Sequence, residues 1–226
     1  MSEKHLAHQL HTELNPKLWD GNQLRREVAV ALLKIAKEFY KFLEFPAPLK
    51  DIIVTGSQAN YTYSDLSDLD LHLIVPFEDV QCDEPVDDLF DTKRKLWKLR
   101  HDITIHGVPV ECYVEDLNKP VTGSSYSLIQ DRWIQRPKKI TGTIDNAEVN
   151  ALTKQWLEEL VAAMQSKDLS QLEAFKDELR ARRQLALKQD GELSAGNLAF
   201  KNLRNMGAID MLMRGLIKLK DRQLSI

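Results

Sequence analysis

Two short apolar runs, Asp51 to Thr55 and Leu69 to Val75, each end at a chain breaker, Gly56 and Pro76, and this pair of runs limits most what the chain can become. Runs this short and this rich in Ile, Val and Leu are too brief for a helix with one buried face, so both read as buried strands. Between them stand Gly56-Ser57 and, after a spacer of ten residues, Asp68-Leu69-Asp70-Leu71. The stretch therefore predicts two buried strands with a sharp turn at Gly56.

Those residue types point to one kind of chemistry. Gly56 has no Cβ, so the backbone can turn sharply and bring its N–H groups and the Ser57 hydroxyl close to phosphate oxygens. A helix beginning within residues 58–63 would add the partial positive charge of its N-terminus for the same anion. Side chains alternate across a strand, so Asp68 and Asp70 project to the same side. Two carboxylates that close repel one another unless a cation lies between them. Magnesium takes hard oxygen ligands and is commonly held by one or two carboxylates plus substrate phosphates. Together these features predict Mg²⁺-dependent chemistry on a nucleoside triphosphate.

A third acid is expected from the next strand signal, HDITIHGVPVECYVED. It reads as a hairpin of residues 102–106 and 109–115 turning at Gly107. Glu111, Tyr113 and Glu115 share one face of the returning strand, and Val110, Cys112 and Val114 the other. Glu111, flanked by apolar residues, is the candidate; Glu115, near the strand end, is its competitor. His72 falls on the face of the two acids as a phosphate contact or a packed histidine, and Asp65 is expected to cap the turn before them.

Gly-Ser, a spacer, Asp-Leu-Asp-Leu and a later strand acid resemble the DNA polymerase β-like nucleotidyltransferase superfamily. The resemblance implies a nucleotidyltransferase-type mixed sheet flanked by helices, a triphosphate held at Gly56 and Ser57, and two Mg²⁺ ions bound by Asp68, Asp70 and a third acid at Glu111. It also implies transfer of a nucleoside monophosphate to an acceptor hydroxyl with loss of pyrophosphate, Glu111 helping to activate the hydroxyl. Lys201 and Arg204 correspond by position to residues that reach the triphosphate from a helical subdomain. LNPKLWDGNQLRREV, SSYSLIQDRWIQRP and NLAFKNLRNMGAID are similar to segments of small stand-alone bacteriophage nucleotidyltransferases. A protein-modifying, antitoxin-like transferase and a nucleotide-binding module without turnover are the alternatives.

Composition and patterning supply the rest. At 226 residues and 43% hydrophobic, the chain can bury a normal core. The fold class expected is α+β: a catalytic domain over residues 1–142 with an N-terminal helix, and a helical subdomain over 143–226 packing on it. Val28, Leu32, Ile35, Phe39 and Phe42 mark a helix within residues 23–43, and another is expected over 83–100. That second helix carries Lys93, Arg94, Lys95, Lys98 and Arg100, read either as its wet face or as contacts to triphosphate or nucleic acid. Residues 119–142 read as an irregular connector whose Tyr126 and Trp133 either stack on a base or dock it on the sheet. From Asp145 onward apolar stripes predict three or four packed helices.

Cys82 and Cys112 have neither zinc spacing nor a disulfide framework, so a reducing cytoplasm is expected and no disulfide-linked partner. No run is apolar enough to span a membrane, which predicts a soluble chain. Residues 1–118 hold 13 Lys/Arg against 21 Asp/Glu, net -8, and residues 119–226 hold 18 against 13, net +5. The acidic half matches a metal site, and the basic half suits an anionic acceptor such as RNA.

Overall fold

A computed structural model of the chain describes residues 8–45, 47–80, 82, 85–120, 122–139 and 142–225. The fold is α+β, and the chain divides into two compact units. One runs from Gln9 to Thr141; the other takes Gly142 to Ile226 together with His8.

The first unit opens with a two-strand ribbon, β1 (Trp19–Asp20) and β2 (Gln23–Leu24), and then helix α1 (Arg26–Leu43). The 23–43 expectation thus shortens, because Gln23 and Leu24 pair with β1 through a turn at Gly21. Val28, Leu32, Ala36, Phe39 and Leu43 give α1 a buried stripe at helical spacing. β3 (Asp51–Thr55) and β4 (Leu69–Val75) follow, then α2 (Val86–Arg100), β5 (Thr104–Ile105) and β6 (Val108–Asp116). α2 begins at Val86; Asp83 and Glu84, its expected start, lie outside the described residues. His106 and Gly107 both take positive φ in the two-residue turn between β5 and β6, as a tight hairpin requires.

The expected connector is where the structure departs most from the sequence reading. Ser125–Ser127 is a strand, β7, and Arg132–Gln135 another, β8, and both belong to the main sheet. Its order is β5-β6-β4-β3-β7-β8, with β4 and β6 parallel and the other neighbours antiparallel. These strands are too short and polar to show a hydrophobic period, and they are made by pairing with β3 and by their aromatics. Tyr126 is fully buried, Trp133 stacks on Trp19 at 4.8 Å, and Tyr126 meets Trp19 edge-on at 5.3 Å. Both aromatics therefore dock the segment on the unit.

One sheet face is apolar and packs on α1 and α2 through Leu69, Leu71, Leu73, Val54 and Cys112. The other face presents Asp70, His72, Glu111 and Tyr113, in strand positions that alternate with the apolar set.

Among the described residues the second unit has four helices: α3 (Asn146–Ser166), α4 (Leu169–Asp190), α5 (Ala195–Asn205) and α6 (Ala208–Leu224). Asp145, Asp168 and Ser194 cap the first three by accepting backbone N–H groups. Trp156, Leu160, Leu172, Leu179, Leu203 and Leu212 form its core. His8 is tied in by its backbone to Asn146 and by its ring to Asn202.

Trp19 joins the ribbon, β8 and the Gly56 turn, donating its indole N–H to the Gln58 carbonyl at 2.8 Å. Trp19→Ala should cost about 3–5 kcal/mol in chemical denaturation, the range for emptying a buried Trp site.

Candidate active site

The turn after β3 and the start of β4 meet at atomic contact. Thr55 and Asp70 are Cα partners across β3 and β4, and Asp70 and Glu111 are partners across β4 and β6. Thr55, Asp70 and Glu111 thus stand in one row on one sheet face. Gly56, just beyond Thr55, has φ 76° and ψ -162°, a region open essentially to glycine alone. A Cβ built there would overlap Asp70 Oδ2 and come within 3.0 Å of Asp70 Cγ. The glycine is needed twice, for its backbone angles and for the space Asp70 fills. Ser57 follows in a single 3₁₀ turn, Ser57–Ala59. The helix expected from residues 58–63 does not form, so no helix N-terminus adds its charge at this turn.

Gln58, which the sequence reading passed over, organises the segment that delivers Asp68. It is 1% exposed, accepts from Asn15 Nδ2 at 2.8 Å and donates Nε2 to the Ser67 carbonyl at 2.9 Å. Ser64 and Ser67 close the same loop through their hydroxyls, and Asp68 follows directly. A polar residue immediately after a Gly-Ser turn was the available signal. Asp65 does not cap this turn: its side chain is 95% exposed and lies 3.7 Å from Lys17.

Glu111 sits beside Asp70 in the sheet, but its carboxylate is drawn toward α2. Oε1 accepts from Arg94 at 2.9 Å and Lys98 at 3.0 Å, and Tyr113 also hydrogen-bonds the group. Burial works to raise the Glu111 pKa, and the Lys98 and Tyr113 hydrogen bonds with the two cations outweigh it, leaving a lowered value. Lys93 pairs with Glu44 and Lys95 with Asp91. The basic cluster of α2 is thus neither a bare wet face nor an open anion site; two of its members neutralise the expected third acid. Burial pushes the Tyr113 phenol well up, and Asp70 and Glu111 beside it push the same way.

Among the described residues no group of three or more His, Cys, Asp or Glu side chains is gathered for a metal. Asp68 and Asp70 fit the smaller donor set that Mg²⁺ takes when substrate phosphates complete its shell, and the cradle at Gly56 adjoins Asp70. In Glu111 both α2 cations engage Oε1, so a metal would share this carboxylate with them.

One register step from Asp70, His72 Nδ1 meets Glu115 Oε2 at 2.9 Å, and its ring stacks on Tyr113 at 4.7 Å. His72 is therefore the packed, paired histidine of the two expectations. Glu115 Oε1 pairs with Lys119 at 2.8 Å. The hydrogen bond from His72, aided by Lys119 and opposed by burial, holds the Glu115 carboxyl down at about 2. His72, Glu115 and Asp51 border a cavity of about 220 Å³ on this face.

Lys201 and Arg204 stand on α5 of the helical unit. Arg204 lies near enough to Arg183 that its repulsion, after burial, lowers the Arg183 pKa. Arg183 rests over Phe200 at 4.6 Å and donates Nε to Asn197. Lys201 adds to the burial that lowers the His8 pKa. No disulfide is present among the described residues, with Cys112 buried and Cys82 exposed. No helix among them is long and apolar enough to cross a membrane.

Gly56→Ala should lose about 1–3 kcal/mol to backbone strain and more to displacement of Asp70. Gly21→Ala, also at positive φ but with nothing within 4 Å of the added methyl, isolates strain from collision. Thermal melts of both variants give the comparison, with Gly56→Ala the lower.

Glu115 supplies a pH signature. Its carboxyl titrates near 4.5 when unperturbed and about 2 in the fold. A depressed carboxylate stabilises the fold fully above the unfolded value and loses that contribution as pH falls through the folded one. Stability should fall by roughly 1–2 kcal/mol from this group between about pH 5 and pH 2, and Glu115→Gln should flatten that part of the profile in urea titrations.

Compared with protein-family models, with curated proteins and with solved structures, the chain matches none.

Proposed function

We propose that the chain is an Mg²⁺-dependent nucleotidyltransferase with the fold of the DNA polymerase β-like superfamily, similar to small stand-alone bacteriophage members and working in the cytoplasm. One observation carries this proposal: the Asp70 carboxylate packs on the α-carbon of Gly56, so the Gly-Ser turn and the strand acid stand side by side. Gly56 and Ser57 hold the β and γ phosphates of a nucleoside triphosphate through backbone N–H groups and the Ser57 hydroxyl. Asp68 and Asp70 would hold the magnesium ions, with Glu111 as a third ligand. Magnesium, when bound, neutralises phosphate charge and lowers the pKa of the acceptor hydroxyl.

In the transfer itself, the acceptor oxygen bonds to the α-phosphorus as the bond to the bridging oxygen breaks. Pyrophosphate leaves with that electron pair, and the hydroxyl proton passes to a nearby carboxylate or to water. Arg94 and Lys98 keep Glu111 ionised before substrate arrives. RNA is a candidate acceptor on charge grounds.

A second function, nucleotide binding without turnover, is favoured by one observation, the engagement of Glu111 by two cations. The two separate in a labelling experiment: each α-labelled triphosphate with Mg²⁺ is offered total RNA, a protein extract and a metabolite pool. Transfer predicts a labelled hydroxyl compound and released pyrophosphate. Asp68→Ala and Asp70→Ala should each cut transfer by about 10²-fold or more with an unchanged circular dichroism spectrum. Triphosphate binding with no label in any fraction would leave the binding module, and label on protein would make the acceptor a partner's side chain.

A further inference from the structure

A larger cleft of the first unit shares no residue with the Asp70 row and is walled by α1, α2 and β5. At about 660 Å³ it falls within the ~300–1,000 Å³ of small-molecule sites. Trp97 and Ile105 are buried at its floor, while Ile35, Phe42 and Ile103 in its walls are only partly covered. Apolar surface held concave and partly bare gains by exchanging water for an apolar ligand. Its rings suit a flat one: Phe42 and His101 both lie against Trp97, with centroids 5.3 and 3.9 Å away. The charges of the lining do not cancel. Glu38, its one carboxylate, is paired with Lys41 at 2.9 Å, whereas Lys34, one turn earlier on α1, makes no ion pair among the described residues. Lys34 and Lys37 also act on Glu38 and help to lower its pKa, so the carboxylate stands among ammonium groups. The Arg100 guanidinium, 5.5 Å from the centre of the Phe42 ring, adds a cation beside the cleft.

We propose that this cleft is a binding site for a small aromatic carboxylate, its ring system against Phe42, Trp97 and His101 and its carboxylate at Lys34. The site stands apart from the nucleotidyltransfer reading and does not rest on it. An aromatic body covers the partly bare walls, and a single negative charge meets the ammonium that the fold leaves without a countercharge. A ligand with a positive charge would bring Lys34 and Lys41 a like charge in a half-desolvated cleft and is disfavoured there. The position also has a consequence inside the unit. Trp97 hydrogen-bonds Cys112, and Arg94 and Lys98 from the same turns of α2 hold Glu111. A molecule seated on Trp97 therefore packs on the helix that holds the expected third acid.

Three probes with one ring system and different charge test this on the full chain at neutral pH: naphthaleneacetate, naphthaleneacetamide and naphthylmethylamine, titrated calorimetrically. Naphthaleneacetate should bind tightest and naphthylmethylamine at least roughly tenfold more weakly. Lys34→Glu, at an exposed position on α1, should weaken naphthaleneacetate about tenfold, the usual loss for a hydrogen bond to a charged group, and leave the amide within about twofold. Ala31→Trp, which fills the cleft from the α1 wall, should remove binding of all three. Circular dichroism and thermal melts check that both variants fold, and Lys34→Glu decides alone if Ala31→Trp does not. Absence of binding, equal or tighter binding of the amine, or naphthaleneacetate binding indifferent to Lys34→Glu overturns the proposal. Sedimentation of the same samples covers the rival occupant: a dimer that Ala31→Trp dissociates would make the cleft the seat of a second copy, and the ligand site falls.

Discussion

The Asp70 carboxylate lies against the α-carbon of Gly56, and both the turn after β3 and the first pairing of β4 depend on that space holding no side chain. Gly56 adopts backbone angles that other residues reach only with strain, and it does so where Asp70 would collide with any methyl. The contact fixes the acid relative to the turn without a flexible link between them. Trp19 and Gln58 then hold the turn from behind, the indole on the Gln58 carbonyl and the Gln58 amide on the loop that leads into Asp68. Two acids near one another are thereby set by buried hydrogen bonds and packing, the kind of support that keeps a polar site in one geometry.

Electrostatics on the same face are balanced rather than simply acidic. Glu111 would repel Asp70 across the register, and α2 answers with Arg94 and Lys98. Glu115 is answered by His72 and Lys119. Glu111 and Glu115 of β6 thus have their countercharges within the unit, whereas Asp116 accepts the Phe77 N–H and Asp51 the Ile52 N–H and Ser127 hydroxyl. A bound divalent ion would compete with Arg94 and Lys98 for Glu111, so the cations set a threshold that metal and phosphate together must exceed.

The strands that matter most were legible because their signal is local. Asp51 to Thr55, Leu69 to Val75 and the run through Glu111 carry alternation or a buried apolar run bounded by Gly or Pro, and the α+β class follows from them with the helical stripes. β7 and β8 were not, since Ser-Tyr-Ser and Arg-Trp-Ile-Gln have no period and owe their form to β3, Trp19 and Tyr126, all distant in sequence. The partners of Glu111 were hidden for a related reason. Helical spacing tells which side of α2 Arg94 and Lys98 occupy, but not which strand that side meets. Gln58 and Asp51 were hidden by ordinariness, for burial is what makes an amide or a carboxylate consequential.

A cavity's lining constrains its occupant through what the protein has already used. Thr55 and Ser125 have each given their single hydroxyl proton to a backbone carbonyl, which converts two amphoteric groups into acceptors. The Thr55 bond ties β3 to the segment entering β7, and the Ser125 bond is local to that segment, so both hydroxyl protons are committed to the fold itself. Because Thr55 is the Cα partner of Asp70, the cavity bordered by Asp51 and His72 reaches the same row of the sheet that carries Asp70 and Glu111.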